Sequence, residues 1–497
     1  MAATTSTTFS FSLTLIALCF LLRNANGDPN ITFEPNSTMR TPIQPSPPPR
    51  FRFHTLQLSS LIPSDASCCS SPSLSAMEGL NKGASLRVVH KYGPCGQAQQ
   101  QPRPTAAEIL LHDESRVQTI QSRFRKAAAG GDVKVTESST TIPAKDARTI
   151  GAAGNFMVTV GIGTPPQTLS LVFDTGSDLT WTQCQPCARF CYEQREKIFD
   201  PSSSTSYRNV SCSARSCSAL ASVSGMKSKC SSSTCKYEIQ YSDSSFSNGF
   251  FGTEKLTLSS TDVFKNFFFG CGQNNQGTFA GSAGLLGLGR DKLSFVSQTA
   301  QKYKKLFSYC LPSTFTTTGF LNFGHVSTTS VKYTPLTTVP GGTNFYTVDI
   351  TSITVGGEKL PIPATVFSTA GAVIDSGAVF TRLPPVAYSA LRSAFRKLMS
   401  GFPAARPTSI FDTCFDFTTF NPVLVPTIAF SFAGGVEVEI HGAGVLYFFS
   451  LAQACLGFAA NGGASDVAVL GNLQQVTWEV VYDGAGGRVG FAAGGCS

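Results

Sequence analysis

The stretch Val172-Phe173-Asp174-Thr175-Gly176-Ser177 returns later in the chain, in altered form, as Val373-Ile374-Asp375-Ser376-Gly377-Ala378. Each copy sets a carboxylate at the end of an apolar, strand-forming run and follows it with a hydroxyl residue and a glycine. Two carboxylates held against each other cannot both ionise, so one keeps its proton at mildly acidic pH and serves as acid while the other serves as base. Gly176 and Gly377 allow the two loops to approach closely. The Thr175 and Ser376 hydroxyls have the reach to bond across to the opposite copy and fix both carboxyl planes.

Working outward from the two motifs, the chain after Gly151 consists of short Val, Ile, Phe, Thr and Tyr runs broken by Gly, Pro and Asn. That texture predicts a mainly all-β fold. The duplication splits it into two lobes, 151–334 and 335–497. One helix is expected between Pro385 and Met399, where Ala387, Leu391, Phe395 and Leu398 recur at helical spacing.

Upstream, residues 9–22 form an apolar run too short for a comfortable membrane span and are followed by small residues, so 1–27 reads as a signal peptide. Its Ser/Thr-rich, acid-free start leaves a plastid transit peptide as the alternative. Residues 28–76 are rich in Pro and Ser and read as linker. Leu86 to Val89 resembles a strand, and Thr105-x-x-Glu108 is a capping box opening a helix with Ile109, Val117, Ile120 and Phe124 near one face. Residues 123–131, basic and then small, read as an exposed loose segment open to proteolysis.

The chain has 497 residues, 42% of them hydrophobic, enough for a large core and more than one domain. Its formal charge of +8 gathers into no basic stripe, which argues against nucleic-acid binding. No later apolar run of membrane-spanning length occurs, and a soluble monomer is expected. Five histidines (His54, His90, His112, His325 and His441) sit in no nucleophile motif, which argues against a Ser or Cys hydrolase.

Of sixteen cysteines, twelve follow residue 150: Cys184, Cys187, Cys191, Cys212, Cys217, Cys230, Cys235, Cys271, Cys310, Cys414, Cys455 and Cys496. The even number suggests six disulfides in an exported chain. A metal site at Cys184-x-x-Cys187-x-x-x-Cys191 is the lesser alternative, since no histidine lies nearby. Neither metal nor cofactor is expected. Asn30, Asn36 and Asn209 head glycosylation sequons, consistent with secretion to the apoplast or delivery to a vacuole.

The ordered set of motifs from Gly151 to Ser497 resembles the pepsin-like aspartic proteases. It comprises Asp174-Thr-Gly-Ser177 followed by Trp181, Tyr241 ahead of a turn, the segment Ala283-Gly-Leu-Leu-Gly-Leu-Gly289, Asp375-Ser-Gly377 and Val469-Leu-Gly-Asn472. The cysteine-rich insert before Tyr241 is similar to that of the plant nepenthesin-like branch. Leu86 to Cys95, Phe307 to Pro312 and Asp412-Thr-Cys414 resemble the subgroup named for a chloroplast nucleoid DNA-binding protease.

The resemblance implies a bilobal fold with a cleft between the lobes, and hydrolysis of peptide or protein substrates by a water held between Asp174 and Asp375. It makes Tyr241 a flap residue bonded to Trp181, and residues 28–150 mostly an inhibitory propeptide. It also implies pairs Cys184–Cys187, Cys191–Cys271, Cys212–Cys235, Cys217–Cys230, Cys310–Cys496 and Cys414–Cys455.

Two positions depart from the pattern. Ala378 stands where the family carries a hydroxyl, which removes a donor from Asp375 and raises its pKa. The flap reads Tyr241-Ser-Asp-Ser-Ser245, without the usual glycines. A catalytically silent binding or inhibitor protein on the same scaffold is therefore the rival reading.

Overall fold

The strand Gln167–Asp174 delivers the first carboxylate, and its burial shows its place: Leu169, Leu171 and Phe173 are buried on one face and Ser170 and Val172 on the other, so the strand is covered on both sides. The strand Gly284–Gly287 runs parallel beside it, with Leu286 opposite Phe173 and Gly287 opposite Asp174. Trp181–Gln183 pairs antiparallel with Gly284–Gly287, and Val263–Gln276 runs parallel to Trp181–Gln183.

The same frame recurs around the second carboxylate. Ala372–Ile374 is flanked by the parallel strand Ala468–Leu470, then by Thr381–Leu383 antiparallel, then by Phe458–Ala460 parallel. The duplication seen in the motifs is thus a duplication of strand order.

The computed structural model describes residues 50–58, 83–96, 105–129, 155–223, 227–241, 245–277, 279, 281–368 and 371–496. The expected signal segment, Asn30, Asn36 and the flap tip 242–244 lie outside them.

The first frame belongs to a 15-stranded sheet and the second to a five-stranded one; among the described residues, two four-stranded sheets and a two-stranded sheet complete the β structure. The lobes are stitched rather than merely adjacent. Strands Glu479–Asp483 and Arg488–Ala492, from the C-terminal end, pair with Leu306–Cys310 and Lys332–Pro335 inside the large sheet. The helix expected near residue 385 spans Pro385–Leu398 and buries Ala387, Tyr388, Leu391 and Phe395, while Leu398 is half-buried.

The N-terminal region is more ordered than its composition suggests. Within the expected linker, Phe53–Leu56 forms a strand against Val423–Pro426, a pairing whose partner lies too far along the chain for local patterning to reveal. Ala84–His90 is a strand inserted in the large sheet, with Gly319–Phe323 on one side and Phe156–Met157 on the other. The capping box opens the helix Ala106–Ala129 as expected: Thr105 N–H donates to Glu108 Oε2 (2.7 Å), and Glu108 N–H donates to Thr105 Oγ1 (3.2 Å).

Residues 123–126 are not a loose segment. They continue this helix because Phe124 stacks on Phe345 with centroids 5.6 Å apart and Arg125 pairs with Asp466 at 2.6 Å.

All twelve cysteines are paired, so the three thiols considered for a metal are consumed. Cys310–Cys496 and Cys414–Cys455 match the family-derived pairing; the other four pairs are corrected to Cys184–Cys271, Cys187–Cys191, Cys212–Cys230 and Cys217–Cys235. Strand register and burial explain the difference. Cys184 N–H donates to Gly272 O, which lays Cys184 beside Cys271 in the core and leaves Cys187 and Cys191 to close the loop outside. In the insert, Cys217 and Cys235 share a buried apolar cluster, while Cys230 is exposed and meets the half-exposed Cys212.

Candidate active site

Asp174 and Asp375 meet at the junction of the two frames, 3% and 0% exposed. Their loops lock reciprocally: Thr175 N–H donates to Ser376 Oγ (3.1 Å) and Ser376 N–H donates to Thr175 Oγ1 (2.9 Å). Gly176 N–H bonds Asp174 Oδ1 (2.9 Å) and Gly377 N–H bonds Asp375 Oδ1 (3.0 Å). A methyl group added at Gly377 would lie 2.6 Å from Asp174 Oδ1, and one at Gly176 would lie 2.9 Å from Asp375 Oδ1, so only glycine admits this approach.

Behind them, Leu288 N–H donates to Asp174 O, Asp375 N–H donates to Leu470 O, and Asn472 Nδ2 donates to Ser376 O. Leu288, just after the strand Gly284–Gly287, and Leu470, at the end of Ala468–Leu470, therefore brace both loops.

The loops differ in one donor. The Ser177 hydroxyl bonds Asp174 Oδ2, whereas Ala378, fully buried, packs in an apolar cluster with Ile120 and Phe124. Above the first loop, strands Thr234–Gln240 and Phe246–Thr257 form the hairpin that carries Tyr241, with Gln240 opposite Phe246. Trp181 Nε1 donates to Tyr241 Oη (3.2 Å), and Phe279 packs edge-on against both rings.

A residue that the motifs did not single out occupies the space between the carboxylates. Arg116, in the middle of the N-terminal helix, donates from Nε to Asp375 Oδ2 (2.8 Å) and from Nη2 to Asp375 Oδ1 (3.1 Å) and Asp174 Oδ1 (2.6 Å). Its side chain is 8% exposed. The helix is fastened on both sides of Arg116. Asp113 Oδ1 accepts from Val379 N–H (2.6 Å) and Phe380 N–H (3.1 Å), and Asp113 Oδ2 pairs with Arg382 (2.6 Å). Gln121 exchanges two bonds with the Val467 backbone, at 2.8 and 3.0 Å. The buried positions Asp113, Arg116, Ile120 and Phe124 fall at helical spacing on one face, so two charges interrupt an otherwise apolar stripe. That interruption is the sequence signal that could have marked them.

The electrostatics follow from burial and from this cation. Burial pushes Asp375 up, but the Arg116 charge, its hydrogen bonds and the Gly377 N–H outweigh it, and the carboxyl is held below the ordinary range. For Asp174 burial dominates; with the neighbouring Asp375 charge it exceeds what Arg116 and Ser177 return, and the group is held above that range. The two sites are thus driven apart, into one proton carrier and one carboxylate. Arg116 loses from burial and gains more from the two carboxylates, so its charge is secured. Nearby, burial raises Asp178 to about 7, against the opposing Asp291 N–H bond of 2.9 Å.

Comparison with known proteins bears on the family of the chain. Residues 156–325 match the family model described as xylanase inhibitor N-terminal, and residues 345–493 match xylanase inhibitor C-terminal. An aspartyl protease family protein of Arabidopsis thaliana is 56% identical over 447 residues, covering 89% of this chain and 93% of its own length. Aspartyl protease AED1 of the same plant is 50% identical over 446 residues, with coverages of 89% and 92%. Aspartic proteinase nepenthesin-1 of Nepenthes gracilis is 35% identical over 356 residues, with coverages of 69% and 78%. The crystal structure of basic 7S globulin from soybean shares the fold, with a TM-score of 0.54 at 20% identity over 68% of this chain and 91% of that one. The chain belongs to the plant aspartyl protease family, within the pepsin-like aspartic proteases.

Proposed function

We propose that the protein is an aspartic endopeptidase held latent by its own N-terminal helix. The supporting observation is the Arg116 guanidinium, lodged where a water must sit to touch both Asp174 and Asp375. With the helix gone, that water loses a proton to the ionised aspartate and attacks the scissile carbonyl, while the protonated aspartate gives its proton to the carbonyl oxygen. No metal or covalent intermediate enters these steps. Thr175, Ser376, Gly176 and Gly377 hold the carboxyl planes. The Tyr241 hairpin closes over the peptide, with Trp181 as its anchor.

Latency follows from the same contacts, since a cation on the dyad and a helix in the cleft exclude both water and substrate. Acid weakens the cation's hold. The folded pKa of Asp375 is depressed, so its contribution is present above the ordinary carboxylate range and is lost as pH falls through the depressed value. Six disulfides favour an oxidising compartment and hence export, and the peptide substrates expected are protein chains in that compartment.

The test is an acid digest of a denatured protein by the full-length chain. Cleavage that appears at acid pH and is abolished by a statine-type peptide and by Asp174→Asn supports the reading. Binding of the statine peptide without cleavage would favour the silent binding protein, for which Ala378 is the specific structural motive.

A further inference from the structure

Arg382 lies on the strand Thr381–Leu383, seven residues after Asp375, with its side chain 3% exposed. The duplicated frame sets it where the first lobe has Trp181, seven residues after Asp174. Trp181 stands opposite Leu285 in register and Arg382 stands opposite Val469. Both ion-pair partners of Arg382 are carried by the N-terminal helix: Asp113 Oδ2 at 2.6 Å from Nη2 and Glu114 Oε2 at 3.2 Å from Nη1. Its Nε is buried and has no hydrogen-bond partner among the described residues. Asp113 also takes the N–H groups of Val379 and Phe380, so one helix carboxylate satisfies three donors of the enzyme body.

A guanidinium stays charged at every relevant pH, and it holds a carboxylate strongly where a bound chain shields the pair from water, as the helix does here. When the helix departs, Arg382 and the two N–H groups lose their acceptor together. What they are shaped to receive is another carboxylate, since the planar fork of arginine matches that group in two parallel bonds. We propose that Arg382, with the backbone N–H groups of Val379 and Phe380, forms a subsite selecting a peptide substrate with an aspartate or glutamate side chain. Asp113 is the carboxylate that occupies it in the latent chain.

The position of that acidic residue follows from the helix. Asp113 precedes Arg116 by one turn, a rise of about 4.5 Å, which an extended peptide covers in one or two residues. The acid side chain therefore lies within about three residues of the bond that is cut. The inference rests on the reading of the cleft as a peptidase site released from its helix.

The experiment uses the full-length chain after acid activation, assayed at about pH 6 where a glutamate side chain is ionised, with a denatured-protein digest at the same pH as control. The substrates are peptides that differ only in Glu, Gln or Leu at each position within three residues of the cut bond. At one position kcat/KM for Glu should exceed that for Gln by about 10- to 100-fold, the range expected for a charged pairing of about 1.5 to 3 kcal/mol. In Arg382→Met the ratio should fall to about one, and Arg382→Lys should keep part of it. Equal cleavage of Glu and Gln peptides at every position by a wild type that digests the control protein would overturn the subsite alone. So would a preference that survives in Arg382→Met. Failure to digest the control would overturn the peptidase reading and the subsite with it. If Arg382→Met does not fold, the wild-type Glu-to-Gln ratio and its decrease in Arg382→Lys decide the matter.

Discussion

The two lobes build one frame from unequal side chains, and the inequality is concentrated in the residues that follow each aspartate. Three positions on, Ser177 gives Asp174 a hydroxyl donor while Ala378 gives Asp375 none. Four positions on, Asp178 is a buried acid, whereas Val379 offers its N–H to Asp113. Seven positions on, Trp181 anchors Tyr241 while Arg382 faces the helix. The backbone repeat fixes where the carboxylates meet, and the divergent side chains give the first lobe the flap and the second the charge that binds the helix. Symmetry thus belongs to the chemistry of the dyad and asymmetry to recognition and control.

The sharpest test of the symmetric part is to remove either acid. Asp174→Asn and Asp375→Asn should each lower kcat by at least about 1,000-fold, because one base and one acid are both required. Measured peptide hydrolysis that survives one substitution would show that the lobes are not equal partners. The next effect concerns the asymmetric bridge, in which Arg116 makes two bonds to Asp375 and one to Asp174. Arg116→Ala in the full-length chain should raise cleavage near pH 6 by about 100-fold, equivalent to about 3 kcal/mol of lost docking. An unchanged rate, followed with a fluorogenic peptide before any chain cleavage, would show that the other helix contacts suffice.

Asp178 predicts a smaller, pH-dependent term. Its folded pKa is raised to about 7, so its stabilising contribution is complete below the unfolded value near 4 and is lost as pH rises through about 7. Asp178→Asn should flatten the decline in unfolding free energy between pH 4 and pH 7 by about 2 kcal/mol, read by denaturant titration at both pH values. The smallest effect is expected at Ala378. A hydroxyl restored there would favour ionised Asp375 and move the acid limb of the pH-rate profile down by about one unit. Because Ala378 packs with Ile120 and Phe124, Ala378→Thr should also loosen the helix, detectable as faster acid activation. Superimposable pH profiles of the two proteins would refute the first expectation.

Much of this was legible in the sequence because the deciding signals are local. The two Asp-Ser/Thr-Gly turns, the strand texture after Gly151, the Thr105 capping box and the spacing of Ala387, Leu391 and Phe395 each act within a few residues. What escaped depends on distant partners. Phe53–Leu56 is too short to declare itself and becomes a strand only against Val423–Pro426. The cysteine pairs follow strand register and burial rather than nearness in the chain, so Cys184 finds Cys271 and bypasses Cys187. Arg116 and Asp113 resemble ordinary helix surface charges until the helix meets the cleft, and only their place on the Ile120 and Phe124 face hints otherwise. Arg382 carried no local signal, since a charge in a short strand acquires meaning from the carboxylate that faces it.

The strand Ala84–His90 has a further consequence. It pairs through Ala84 to Val88 with Gly319–Phe323 and through Val89 and His90 with the first strand of the N-terminal lobe. Scission of the chain after the helix would sever a covalent link without breaking any of those rungs. The helix could then leave the cleft while the fragment stays held by its strand as a non-covalent guest, and the processed protein would migrate as two pieces under denaturing conditions while travelling as one particle in native buffer.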